Sequence, residues 1–422
     1  MADIFQGFGV FPGDGNGHFA QPAAFLDVYR GVDFLDVLDV DGDGHLDLVG
    51  TRDSQKDNAY GRGYNLSIAL GRGDGSFDDV VEFALGPAPL HVAVADVNGE
   101  GQLDLVASVP MIASVSVVLA EQDGGLFHPD TIEYPVNDWS SLSDVVVRDV
   151  QGDDLPDVVV VSGTAGLTTL LGDGAGGLTL ASEVIAGFEP SEVALGDLDH
   201  DGDADAVLAT APSDGLFVRL NEGNGTWSNI NTVQLPGSDP RSVVLADMDG
   251  DGDLDAVAGS TPVSVALGKG NGKFFPAVYA PGEPPLGAGG TRVRVGDVDG
   301  DAILDVVAME EGRLAVHIGD GAGNLADAVL SDPVGTILGS YGFDLADVDG
   351  DTDLDAVVVN SFADYVLVLL NDGFGQFVPQ DELDIWNPST SQVRDMNGDG
   401  HVDLVVISYG DGMVSIFDGD GT

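Results

Sequence analysis

Cysteine is absent from the 422 residues, so the fold depends on neither disulfides nor thiolate metal sites. Positive charge is scarce. Fourteen Lys and Arg stand against 72 Asp and Glu, a formal net charge of −58. That sign counts against nucleic acid or an anionic membrane as a partner. Long apolar runs are missing too. The longest stretch without charge, 105–120, is too short to span a bilayer, and Ser108, Pro110, Ser114 and Ser116 interrupt it. Two buried strands and a turn account for it, and no membrane insertion is expected. The first fifteen residues are mixed and end in Gly and Asp, so no secretory signal is expected there. No segment carries a helical period and no Pro/Ser-rich linker divides the chain. A Ser/His/Asp signature and a G-x-S-x-G elbow are also missing.

What is present is an acidic loop of nine residues, repeated eight times. The copy at 39–47 reads DVDGDGHLD. Carboxylates stand at positions 1, 3, 5 and 9 and glycines at 4 and 6. Calcium takes six to eight oxygen ligands, and a tight acidic turn can supply them from side chains at 1, 3, 5 and 9 and the carbonyl at 7. The expected ligand sets follow in chain order. The first is Asp39, Asp41, Asp43 and Asp47, with His45 giving its carbonyl. Next come Asp96, Asn98, Glu100 and Asp104 with Gln102, then Asp149, Gln151, Asp153 and Asp157 with Leu155. The fourth is Asp197, Asp199, Asp201 and Asp205 with Asp203, and the fifth Asp247, Asp249, Asp251 and Asp255 with Asp253. Then follow Asp297, Asp299, Asp301 and Asp305 with Ile303, and Asp347, Asp349, Asp351 and Asp355 with Asp353. The last is Asp395, Asn397, Asp399 and Asp403 with His401. No Glu stands at position 12 and no helices flank the loops, which excludes an EF-hand. Asp154, Ala302 and Thr352 replace the position-6 glycine, so backbone strain is expected there, and lower affinity is expected in copies two and three.

Successive loops begin 48 to 57 residues apart, the mark of a repeat architecture. Each repeat reads as four strands. An apolar strand enters the loop, a second leaves it, and a third ends in a glycine-rich hairpin such as GRGDGSF or GKGNGKF. A fourth, more polar strand follows. Short Val-rich runs bounded by Gly, Asp and Asn are strand signals, and four strands per fifty residues describe a propeller blade. Hydrophobic residues make up 43% of the chain, enough for a real core.

These features resemble the FG-GAP and VCBS repeats, which include the β-propeller head of integrin α subunits. The resemblance rests on the D-x-[DN]-x-D-G-x-x-D loop, the following L-D-[LAV]-V strand and the G-x-G-x-G-x-F hairpin. It covers essentially the whole chain and implies that the loop joins the first and second strands and binds Ca2+.

The expectation is an all-β propeller forming a single domain over 1–422, with four-stranded blades and up to eight structural calcium ions. Eight loops imply eight blades; seven, as in integrin heads, is the alternative. The segment GHFAQPAAFLDV near the N-terminus reads as the fourth strand missing after FDGDGT, so the two ends would close the ring. Material resembling a third strand stands at both ends.

In an up-and-down blade the loops and glycine hairpins share one face, so a ligand would meet the other. Connections there carry Tyr60, Arg62, Trp139, Tyr341 and Trp386, candidates to stack on a sugar or anchor a protein. Arg72-Gly73-Asp74 sits at a hairpin tip whose counterparts are plain glycine turns, which discounts adhesion through it. The seven histidines recur at no catalytic spacing. The functional expectation is a monomeric, extracellular or cell-surface binding module for a glycan or protein, not an enzyme. A propeller-fold polysaccharide lyase or hydrolase, or a purely structural repeat module, is the alternative.

Overall fold

The computed structural model describes residues 8–11, 15–19, 24–26, 34–51, 66–83, 85–86, 89–121, 127, 130–136, 142–162, 166–184, 190–210, 215–228, 231–236, 238–279, 292–310, 312–334, 342–385, 388–408 and 413–417. Their strands form eight antiparallel sheets. Seven are four-stranded blades, each made of consecutive strands. The first comprises Phe34–Leu38, Asp47–Thr51, Leu66–Ala69 and Val81–Phe83. The eighth sheet has five strands and takes them from both ends of the chain. Among the described residues the helical content is one 3₁₀ turn, Pro110–Ile112, and no helix is long and apolar enough to cross a membrane.

The second strand of each blade is buried along its length, as in Asp104–Val109 and Asp205–Thr210. Period-two alternation sends its side chains to two different neighbours. Leu105, Ala107 and Val109 pack with the first blade's Leu66 and Ile68, whereas Val106 packs with the third blade's Val158 and Val160. Each hydrophobic cluster therefore lies between blades, and burial of both faces explains why these strands are continuous runs of Val, Leu and Ala. One cluster joins Val357 and Val359 of the seventh blade, Leu404 to Ile407 of the eighth and Leu35 and Val37 of the first. That junction closes the ring.

The closure uses more of the N-terminus than the sequence reading proposed. Ala24–Leu26 lies at the outer edge of the eighth sheet, as expected of a fourth strand, and pairs with Phe8–Phe11. Val10 and Phe11 register against Val405 and Leu404, the residues that also face Ile416 and Phe417 of the C-terminal strand Met413–Phe417. Both ends thus reach the third-strand position. Residues 15–19 repeat the hairpin packing of the other blades. In the third blade Gly174 sits on Leu155 of its own acidic loop and Gly176 on Leu119 of the preceding blade. Gly15 and Gly17 sit likewise on His401 and Leu370. Phe19 is buried in the closing cluster, and His18 reaches the seventh blade, with Nε2 3.0 Å from Gln380 Nε2.

Candidate functional site

Each acidic loop begins where the first strand of its blade ends. Its fold is set by its own carboxylates. Asp39 Oδ1 accepts the N–H groups of Gly42 and Asp43 at 2.7 and 3.1 Å, and Oδ2 accepts that of Gly44 at 2.9 Å. Asp41 accepts from Asp43, and Asp43 from His45. The same ladder recurs at Asp297, which accepts from Gly300, Asp301 and Ala302. To close these turns the chain takes positive φ at positions 4 and 6: Gly42 at 76° and Gly44 at 90°. That region is open to glycine and costly for other residues. Asp154 at 65°, Ala302 at 66° and Thr352 at 80° adopt it all the same, as does His200 at 62° in position 4. The strain expected at position 6 is present.

The aspartate at position 9 has a role the loop pattern did not reveal. Asp47 is fully buried. Its Oδ2 accepts Val40 N–H at 2.8 Å and its Oδ1 accepts Gly71 N–H at 2.7 Å. Asp205 bridges Leu198 and Asn221 in the same way, Asp255 bridges Met248 and Gly268, and Asp355 bridges Val348 and Asn371. This carboxylate ties its loop to the hairpin of its own blade. An ionised carboxylate offers about four lone-pair sites, so two remain after both N–H groups are accepted. Burial pushes Asp47, Asp205, Asp255, Asp305 and Asp355 up to about 6.

Carboxylates converge in five loops. Oxygens of Asp39, Asp41 and Asp43 lie within 4.8 Å of one another, as do those of Asp197, Asp199 and Asp205, and of Asp297, Asp299 and Asp305. Asp247, Asp249 and Asp251 form a fourth group and Asp347, Asp349 and Asp351 a fifth. Position 3 feels this crowding: desolvation and the neighbouring carboxylates raise Asp199, Asp249 and Asp299 above the usual range. Asp197 Oδ1 and Asp199 Oδ1 are buried with no hydrogen-bond partner. An orphaned pair of anionic oxygens fits a hard cation, as does the all-oxygen donor set. In copy three the Gln151 amide donates to Asp153 Oδ2 at 2.7 Å, which engages an oxygen a cation would use. The loop at Asp395 is built in the same way, with Gly398 and Gly400 N–H on its carboxylate and Asp403 buried on Met396 N–H.

In four loops the position-7 side chain packs on a glycine of the hairpin. His45 lies against Gly73, Leu155 against Gly174, Asp253 against Gly270 and Ile303 against Gly321. His200 and Asp253 join adjacent loops, Nε2 to Oδ1 at 2.6 Å, and that contact raises the imidazole above its ordinary value.

Tyr60, Arg62, Trp139, Tyr341 and Trp386, the candidates for ligand contact, lie outside the described residues. The remaining tryptophan, Trp227, is buried and donates from Nε1 to Thr169 Oγ1 at 2.7 Å. In the RGD tripeptide, Arg72 pairs with Asp78 and Asp74 accepts from Ser76, so both charged ends are spent within the hairpin.

The model of the FG-GAP-like repeat family matches residues 39–107, 149–208, 197–258 and 297–358, together more than half of the chain. No curated protein sequence matches. Among solved structures, a lectin from Agrocybe aegerita, described for its specific recognition of non-reducing terminal N-acetylglucosamine, aligns at 18% identity over 87% of this chain and 92% of its own, with a TM-score of 0.52. A protein from Lactobacillus plantarum aligns at 15% identity over 82% and 98%, also at 0.52. The exotype rhamnogalacturonan lyase YesX aligns at 12% identity over 99% and 91%, at 0.46. Identities this low speak for the architecture alone.

Proposed function

Because the chain belongs to the FG-GAP-like repeat family, we propose that it is a calcium-stabilised propeller acting as an extracellular or cell-surface binding module, not an enzyme. The observation that carries the metal reading is the convergence of three carboxylates in five loops, with buried, unpartnered oxygens on Asp197 and Asp199. Side chains at positions 1, 3, 5 and 9 would hold the ion, with the carbonyl at 7. Bound calcium supplies positive charge where the chain has concentrated negative charge. The carboxylates also hold the loop in shape through their own N–H contacts, so the metal site is structural.

Placing the metal on the loop face leaves the opposite face for a ligand, a glycan or a protein surface, with Trp139, Trp386, Tyr341, Tyr60 and Arg62 as its contacts. The lectin of like architecture supports testing glycans first. The test has two arms on one sample. Millimolar calcium is expected to raise the melting temperature well above its value in EDTA; equal melting temperatures would sink the metal reading. The calcium-loaded protein is expected to give specific signals on a broad glycan array. Silence there would move the ligand to a protein.

A further inference from the structure

Fourteen Lys and Arg serve 422 residues of net charge −58, and three of them, Arg292, Arg294 and Arg394, line a single cavity. The cavity of about 160 Å³ sits among the first strands of blades six, seven and eight, Val293–Gly296, Phe343–Ala346 and Pro388–Arg394. Three residues before each acidic loop, blades two to five carry only alanine or valine. Blades six, seven, eight and one carry Arg294, Asp344, Gln392 and Asp36 there. One sector of the ring is therefore polar at that level and the rest is apolar.

The polar sector is partly wired. Arg294 Nη2 lies 3.4 Å from Asp344 Oδ1, and its guanidinium stands 5.6 Å from the Phe343 ring centroid. Gln392 Nε2 faces Asp36 Oδ1 at 3.5 Å. Arg394 donates from Nη1 to Val393 O at 2.8 Å, which leaves its charge uncompensated by that contact. Among the described lining residues stand three guanidinium groups and one carboxylate.

Two polar groups of residues that line the cavity have no partner, on consecutive strand residues whose side chains leave opposite faces. Gln392 Oε1 and Ser391 Oγ are buried without a hydrogen bond, and Ser391 is only 5% exposed. Leaving such a group unmade costs about 1–3 kcal/mol, so buried acceptors of this kind call for a donor. A fully deprotonated inorganic anion such as sulfate would answer the arginines and offer nothing to Gln392 Oε1. A ligand carrying both a carboxylate and hydroxyls answers both. The volume is below the roughly 300 Å³ at which pockets for drug-sized ligands begin, which suits one sugar ring and not a chain.

We propose that this cavity binds a sugar acid, with its carboxylate among Arg292, Arg294 and Arg394 and a hydroxyl donating to Gln392 Oε1. Guanidinium groups suit this task because their planar fork matches a carboxylate. The site goes beyond the loop reading: none of its residues occupies an acidic-loop position, and it needs none of Tyr60, Arg62, Trp139, Tyr341 and Trp386.

The test is calorimetric titration of the full chain in millimolar calcium with D-galacturonate, D-galactose and inorganic sulfate. Saturable binding of galacturonate is expected, with galactose, which differs only at the carboxylate level, and sulfate each at least ten-fold weaker. No galacturonate binding, or galactose as tight, overturns the proposal. Sulfate as tight would reduce the cavity to an anion hole and overturn it too. Two variants locate the site. Arg394→Gln, at an exposed position, is expected to lose ten-fold or more in affinity with an unchanged melting temperature. Gln392→Leu removes the orphaned acceptor, so it is expected to weaken galacturonate several-fold, with the melting curve reporting that the fold is kept. Unchanged affinity in both variants overturns the assignment. Melting curves in calcium and EDTA, run alongside, report on the metal reading separately.

Discussion

Thr352 holds φ at 80° in a loop position that Gly44, Gly252 and Gly400 fill elsewhere. The left-handed region costs an L-residue about 1–2 kcal/mol, and a β-branched side chain is among the least suited to it. Thr352→Gly is therefore expected to stabilise the protein by about 1 kcal/mol, read as a higher urea midpoint in calcium; a lower midpoint would show that Thr352 makes compensating contacts. The reverse substitution separates two costs. Gly252 has φ of 93° and open space around it, whereas Gly272 has φ of 68° and would drive a Cβ into the Leu220 side chain. Gly252→Ala is expected to cost about 1 kcal/mol from the backbone alone. Gly272→Ala is expected to cost clearly more, since the neighbouring blade must also shift. Equal losses at the two sites would mean that the inter-blade contact yields freely.

At the scale of the loop, the buried aspartates at position 9 set a pH dependence. In the unfolded chain they ionise near 3.8, and in the fold burial moves five of them up to about 6. Between those values the folded protein holds protons that the unfolded chain has released. Their contribution to stability is thus complete below the lower value and is lost as pH rises through the upper one. The groups held below the ordinary range, such as Asp173 and Asp320, act in the opposite sense but at lower pH. In EDTA the melting temperature is therefore expected to be higher at pH 5 than at pH 7. Calcium competes with the proton for these carboxylates, so its stabilising increment is expected to be larger at pH 7. A melting temperature in EDTA that falls on acidification from 7 to 5 would contradict this account. The loops themselves were legible in the sequence, because ligand spacing and glycine positions are local properties of nine residues. The clamp made by position 9 was not, because Asp47 finds its second partner at Gly71, 24 residues further on. Strand alternation likewise announced four-stranded blades. It could not say which terminal segment would occupy the third-strand position of the eighth, since both read as apolar runs before a glycine turn. The arginines of the cavity were visible as rare residues, but only the stacking of three first strands puts 292, 294 and 394 on one wall.

The whole molecule resolves two opposing demands. A charge of −58 favours expansion, and apolar clusters between every pair of neighbouring blades oppose it. Among the described residues every hydrophobic cluster spans neighbouring blades, so each blade depends on its neighbours. Completion of the ring rests on the eighth sheet, where strands from the two ends of the chain meet. That meeting point is also a mechanical address. Tension applied between the two ends would load the hydrogen bonds of this one sheet before it reached any other blade. The ring would open there as a clasp opens, and the seven remaining blades would bear force only afterwards, one after another.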